Sequence, residues 1–166
     1  MSTEAAPAAA RAFIGLGANL GDARAQVEQA IHTLATWPGI RLVARSSMYR
    51  SAPVNAGGPD YVNAVVAIDS SLSPRGLLQA LQTIETRFGR ERPYPNAPRT
   101  LDLDLLLYGD KQLAHPELTV PHPRMHQRAF VLRPLAELAP DWVLPGFGSV
   151  ASLLPAVADQ AMERLP

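Results

Sequence analysis

The sequence predicts an α+β fold: a βαββαβ core with an antiparallel sheet, helices on the sheet faces and a loop-rich C-terminal extension. Three observations carry this. The chain has 166 residues, 47% of them apolar, which suffices for one domain with a buried core and is too short for two of ordinary size. As far as Tyr108, apolar stretches of strand character and stretches of helical periodicity follow one another in the order strand, helix, strand, strand, helix, strand. Nine of the sixteen prolines then fall between Pro93 and Pro145, so regular elements beyond the core must be short. That order of elements is the ferredoxin-like arrangement.

Each element has a local reason. Arg11 to Gly17 is short, apolar and ends in glycine, a buried strand that runs into a turn at Ala18, Asn19 and Gly21. Asp22 can cap the helix that follows, where Val27, Ala30, Ile31 and Leu34 recur at helical spacing until Pro38-Gly39 stops it. Ile40 to Arg50 and Tyr61 to Ser70 read as strands, separated by a loop from Ser51 to Pro59. Ser73-Pro74 is a strong helix start, Leu77, Leu81, Ile84 and Phe88 form one apolar stripe, and Gly89 ends it. After the proline-rich run from Arg90 to Pro98, period-two alternation makes Arg99 to Gly109 a strand. Short helices are expected near Ala129 to Leu138 and Val150 to Arg164. Residues 1–11, Ala-rich and lacking a basic start followed by a greasy stretch, are expected to be a flexible tail rather than a targeting signal, with 12–166 a single catalytic or binding domain in the cytoplasm.

Composition narrows the function. Fifteen basic and fifteen acidic residues cancel, so no global field draws the chain to nucleic acid or to anionic membrane, and any anion site must be local. There is no cysteine, which removes disulfides, thiolate metal sites and a cysteine nucleophile. Fourteen of the basic residues are Arg, and the only lysine, Lys111, stands in Asp110-Lys111-Gln112, so a P-loop is impossible. Gly15, Gly17 and Gly21 imitate a dinucleotide fingerprint with the last glycine one place late, and a structural turn is their expected use. His122 and His126 are four apart, but Pro123 intervenes and no Glu follows His122, which leaves loop histidines or donors to an anion.

The strongest chemical signal is in the last strand of the core. Leu101, Leu103, Leu105 and Leu107 are expected to share a core face, with Asp102 and Asp104 on the other. At about 3.3 Å per residue the two carboxylates stand roughly 6.6 Å apart along the strand. They would repel unless cations sit beside them, and Mg²⁺ commonly takes one or two carboxylates plus phosphate oxygens. Charges on an exposed edge strand would explain the same pair. Arginines favour the first reading: Arg87, Arg90, Arg92 and Arg99 precede or open the strand, and Arg124, Arg128 and Arg133 follow. Their rigid forks suit a metal–polyphosphate complex.

Pro98-Arg99-Thr100-Leu101-Asp102-Leu103-Asp104, continuing through Leu105-Leu106-Leu107-Tyr108-Gly109, closely resembles the central motif of the 6-hydroxymethyl-7,8-dihydropterin pyrophosphokinase family. Leu16 to Gly21, Ser46 to Arg50, Pro59 to Asn63, Thr119 to Pro123 and Arg128-Ala129-Phe130 resemble its other landmarks, in order, from about Phe13 to Trp142. The resemblance implies transfer of a diphosphate from ATP to the hydroxymethyl group of the dihydropterin, with AMP released. It implies that Asp102 and Asp104 hold two Mg²⁺ ions and that Arg90, Arg92 and Arg99 contact the phosphates. It further implies an ATP site of Gln82, Glu85, Arg92, Arg99, Leu105, Thr119, His122 and Arg128, and a pterin pocket of Ser51, Ala52, Pro53, Val54, Tyr61, Asn63 and Phe130. Where family members often carry a Trp before the Arg-Thr run, this chain has Tyr94 and then Pro95-Asn96-Ala97-Pro98. A monomer acting on ATP and the pterin, with no nucleic-acid or membrane partner, is the expectation. Two rivals are a two-metal nucleotide hydrolase, and an RNA-binding module with the same order of elements, against which 6% aromatic content and zero net charge both argue.

Overall fold

The structure, a computed structural model, describes residues 9–52, 59–89 and 101–166. The proposed tail up to residue 8, Pro53 and Val54 of the first loop, and Arg90, Arg92, Tyr94 and Arg99 of the second lie outside the described residues.

The short apolar N-terminal segment forms β1 (Ala10–Ala18), which takes in the last two residues of the expected tail. A turn through Gly21, whose φ of 59° suits glycine, leads into α1 (Ala23–Ala35). Asp22 caps that helix by accepting the Ala25 N–H at 3.1 Å, and Val27, Ala30, Ile31 and Leu34 are its buried residues, each of the larger ones stabilising the fold by about 1.5–3 kcal/mol. β4 (Tyr61–Ser70) and α2 (Pro74–Phe88) form where expected, with Ser73 accepting the Gly76 N–H at 3.0 Å.

One expected strand is two. Ile40 to Arg50 divides into β2 (Ile40–Arg45) and β3 (Tyr49–Ser51), both paired with β4. Between them Ser46 donates its N–H to Val65 O and accepts the Val65 N–H on its own hydroxyl, both at 2.9 Å. A side-chain oxygen has taken the place of a ladder carbonyl, which ends regular pairing there.

β5 (Asp102–Tyr108) completes a sheet of order β5-β1-β4-β3-β10, where β10 is Met162–Arg164, with β2 also on β4 and every ladder antiparallel. The expected common face of four leucines is corrected by a β-bulge. Phe13 pairs with Leu107 and Ile14 with Leu105, so Leu106 is an extra residue and the alternation inverts beyond it. Leu101, Leu103, Leu105 and Tyr108 therefore join the core beneath α1 and α2, whereas Leu106 and Leu107 join a second core on the opposite face.

That second core is closed by the C-terminal extension. A hairpin of β6 (Leu113–His115) and β7 (Leu118–Val120) leads through a 3₁₀ turn to α3 (Ala129–Leu138), whose buried Val131, Leu132 and Leu135 pack with Phe13, Val65 and Leu106. β8 (Val143–Leu144) and β9 (Gly148–Ser149) form a small hairpin. The expected helix over Val150 to Arg164 is corrected: α4 covers only Val150–Leu153 and gives way to a 3₁₀ turn over Leu154–Val157, and β10 (Met162–Arg164) is a strand paired with β3. Pro155 brings no N–H to extend the helix, and the unpaired edge of β3 offers partners that helical periodicity cannot reveal.

α3 is tied to that edge by Glu137, which accepts the Ser47 N–H at 2.9 Å and the Tyr49 hydroxyl. Burial, then the Glu137 contact, push the Tyr49 phenol up to about 12. A group whose folded value is raised keeps its full contribution below the ordinary tyrosine range and loses it as pH climbs through the folded value. Stability is expected to fall between about pH 10 and 12 and to fall less in Tyr49→Phe, as urea titrations at alkaline pH would measure.

Candidate active site

The open face of the sheet holds a cleft of about 330 Å³ between the ends of β1, β4 and β5 and the start of α3. Register builds it. Asn63 of β4, Gly17 of β1 and Asp102 of β5 form one row across three strands, and Val65, Gly15 and Asp104 form the next. Because residues two apart share a face, both carboxylates point into the cleft that α3 roofs with Arg128, Phe130 and Val131. Tyr61, Ser51 and Ala52 form the remaining wall.

The two ends of the cleft differ in chemistry. At the β4 end Asn63 is 4% exposed, and its amide Nδ2 donates to Ser51 Oγ at 2.7 Å. A buried amide so anchored presents fixed polar atoms to a ligand edge. Tyr61 and Phe130 line the same space, and the Arg128 guanidinium lies 5.4 Å from the Phe130 ring centre. At the β5 end Asp102 is half-buried and Asp104 exposed. The Glu85 carboxylate of α2 accepts the Leu103 N–H at 2.8 Å, which pins the strand between the aspartates to the helix through a charge-assisted bond.

His122 stands beside this end through the bulge: its N–H donates to Leu106 O at 2.9 Å. Burial holds its imidazole below the ordinary histidine value; the Asp104 carboxylate opposes that, and Arg128 and Arg124 reinforce it. Its Nδ1 accepts the Arg124 N–H at 3.2 Å, so the proton of the neutral ring is on Nε2, a donor suited to an anion.

Eight of the expected site residues line one cleft: Ser51, Ala52, Tyr61, Asn63, Asp102, Asp104, Arg128 and Phe130 converge there. Others are placed elsewhere. Leu105 is 5% exposed in the core beneath the helices. Thr119 lies on β7 with its hydroxyl on His115 O, and Gln82 opens into a separate shallow depression on α2 with Gln79 and Thr86. Of the arginines expected around the carboxylates, Arg90, Arg92 and Arg99 lie outside the described residues, and the described ones divide. Arg128 reaches the cleft, but Arg87 stacks on Trp37 at 4.9 Å and Arg133 on Tyr49 at 5.3 Å.

Gly15 and Gly17 are cleft residues that the sequence reading assigned to a turn. Only Gly21 of that trio lies in one; the other two are within β1, and their signal was spacing, since glycines two apart in an apolar strand face one side.

Among the described residues no three Asp, Glu or His side chains converge as a metal cage. Two acceptor-only carboxylates on one wall are the donor set for a hard divalent cation that completes its shell with phosphate oxygens and water, so the residues fit Mg²⁺ arriving with a nucleotide.

Fold and cleft together define a class: an α+β enzyme of small molecules, with a slot for a flat ring at one end and a carboxylate pair at the other. The chain matches the model of the 7,8-dihydro-6-hydroxymethylpterin-pyrophosphokinase (HPPK) family over residues 13–140. A 2-amino-4-hydroxy-6-hydroxymethyldihydropteridine pyrophosphokinase of Pseudomonas aeruginosa is 47% identical over 94% of this chain and 97% of its own length, and one of Methylorubrum extorquens 44% identical over 93% and 98%. Among solved structures, an HPPK-DHPS chain of Plasmodium falciparum with pterin and p-hydroxybenzoate superposes with a TM-score of 0.71 at 12% identity, over 97% of this chain and 46% of that one. The chain belongs to the HPPK family.

Proposed function

We propose that this protein transfers the terminal diphosphate of ATP to the hydroxymethyl group of 6-hydroxymethyl-7,8-dihydropterin, yielding AMP and the pterin diphosphate for folate synthesis. The observation that carries this is family membership joined to one cleft that holds both an aromatic-walled amide slot and the carboxylate pair. We read the domain as residues 12–166 together with Ala10 and Arg11, which β1 draws into the sheet, with a ferredoxin-like core, acting as a cytoplasmic monomer. No described helix is long and apolar enough to cross a membrane.

In this reading the pterin lies between Tyr61 and Phe130 with Asn63 and Ser51 on its edge, and Ala52, Pro53 and Val54 beside it. Asp102 and Asp104 hold two Mg²⁺ ions, which when bound neutralise the triphosphate and make the acceptor hydroxyl more acidic. The pterin oxygen attacks the β-phosphorus in line, its proton is released, and the bond from that phosphorus to the oxygen of AMP breaks. Arg90, Arg92 and Arg99 cover the phosphates, and Arg128 and the Nε2–H of His122 steady them from the β5 end. Gln82, Glu85, Leu105 and Thr119 are assigned to the nucleotide side by resemblance. Glu85 has in addition the bond to Leu103, which keeps both aspartates in register.

The test is product identity. ATP, the dihydropterin and Mg²⁺ are expected to yield AMP and pterin diphosphate in equal amounts, resolved by anion-exchange chromatography. ADP in place of AMP would overturn the assignment, and ATP breakdown independent of the pterin would favour a hydrolase.

A further inference from the structure

Arg128 reaches the cleft from an exposed joint of the chain. It links the 3₁₀ turn Met125–Gln127 to α3, with an extended backbone of φ −122° and ψ 112°. At such a joint an oxygen on the joining residue's own side chain usually caps the first free amides of the helix. Arginine carries donors only, and here its guanidinium is turned to the cleft and the Phe130 ring. The cap comes from elsewhere. Gln160, 31 residues beyond Ala129, accepts the Ala129 N–H on Oε1 at 2.9 Å, and its Nε2 donates to Gln127 O at 2.8 Å.

These two bonds enclose Arg128. The peptide before its Cα offers Gln127 O and the Arg128 N–H; the peptide after it offers Arg128 O and the Ala129 N–H. Local partners take the inner pair: the Arg128 N–H donates to Met125 O at 3.3 Å, and Arg128 O accepts from the Val131 and Leu132 N–H groups at 3.1 and 3.0 Å. The Gln160 amide takes the outer pair. Peptide groups are planar, so the two planes set φ and ψ at Arg128 and with them the direction of its Cα–Cβ bond. One rigid amide bonded to both planes therefore fixes where the arginine side chain starts. Gln160 is itself exposed, so apolar burial is not what places it. Its segment is anchored just beyond, where Met162 opens β10 and pairs with Ser51 on the cleft wall.

We infer that Gln160 is a positioning residue for Arg128: it holds the backbone on both sides of that arginine, so that the guanidinium is presented to the nucleotide from a fixed root. This inference rests on the reading of Arg128 as a phosphate contact.

A double-mutant cycle separates this role from helix capping alone. Gln160→Met keeps the length of the side chain and removes both bonds. It is expected to lower kcat/KM for ATP by about tenfold, within the roughly 10²-fold that a 1 Å misplacement can cost. Loss of a cap alone would lower the melting temperature and leave the kinetics of the folded enzyme where they were. In an Arg128→Ala background the same Gln160→Met substitution is expected to change kcat/KM by less than about twofold, because residues that act through one another do not add. Steady-state AMP release, with ATP varied at saturating pterin and Mg²⁺ and well below the melting temperature of each variant, measures all the corners of the cycle. An unchanged kcat/KM in Gln160→Met, or the same factor lost with and without Arg128, would overturn the inference. Equal kcat/KM in Arg128→Ala and the parent would instead overturn the phosphate reading of Arg128 on which the inference stands.

Discussion

Asp102→Asn and Asp104→Asn are each expected to lower turnover by on the order of 10³-fold, since a bound cation supplies several kcal/mol of transition-state stabilisation and each 1.36 kcal/mol is tenfold in rate. The substitution keeps shape and removes one charge. Both side chains face the open cleft and neither belongs to an apolar core, so the fold should persist. In metal-free buffer the melting temperature of Asp104→Asn should hold or rise, because two like charges on one strand face no longer repel. Steady-state turnover against Mg²⁺ concentration, with a parallel melt, gives both readings. Full activity in either variant would remove the carboxylate pair from the mechanism.

Asn63→Leu should lower kcat/KM for the pterin by about 10²-fold or more, because a site built to pair with polar ligand atoms loses far more than a methylene's worth when the pairing goes. Leucine fills a similar volume but cannot donate to Ser51, whose hydroxyl the Asn63 amide holds at 2.7 Å. That lost pairing should also cost about 1–3 kcal/mol of stability. The KM for ATP should move little, since Asn63 is at the β4 end of the cleft and Asp104 at the β5 end. Kinetics with the pterin varied at saturating ATP test this; an unchanged pterin KM would exclude Asn63 from recognition.

The elements most legible in the sequence were those with a local cause. Asp22 and Ser73 cap α1 and α2 as their side-chain chemistry requires, and the apolar stripes of both helices are their buried residues. The strand from Tyr61 to Ser70 and the helix from Ala129 to Leu138 have the bounds their composition indicated. The site was legible as far as residue types and their face on a strand. Asp102, Asp104 and Asn63 come together because each is on the outward parity of its own strand.

What escaped the sequence depends on partners far along the chain. Period two assigned Leu107 to the face of Leu105, yet pairing with β1 inserts Leu106 as a bulge, inverts the parity, and exposes a carbonyl that positions His122. Met162 to Arg164 carries no strand signal and becomes β10 because β3 has an open edge to fill. Arg87 and Arg133 look like phosphate ligands by position and are drawn instead to the rings of Trp37 and Tyr49.

By itself, then, the sequence determined the helices and strands of the core as far as Tyr108, apart from the break at Ser46, the shared face of the two carboxylates, and the family to which the landmarks point. The tertiary structure alone decided which groups share a cleft and what floors it. Periodicity is a property of one strand, whereas register and bulges exist only when β1 is laid between β4 and β5.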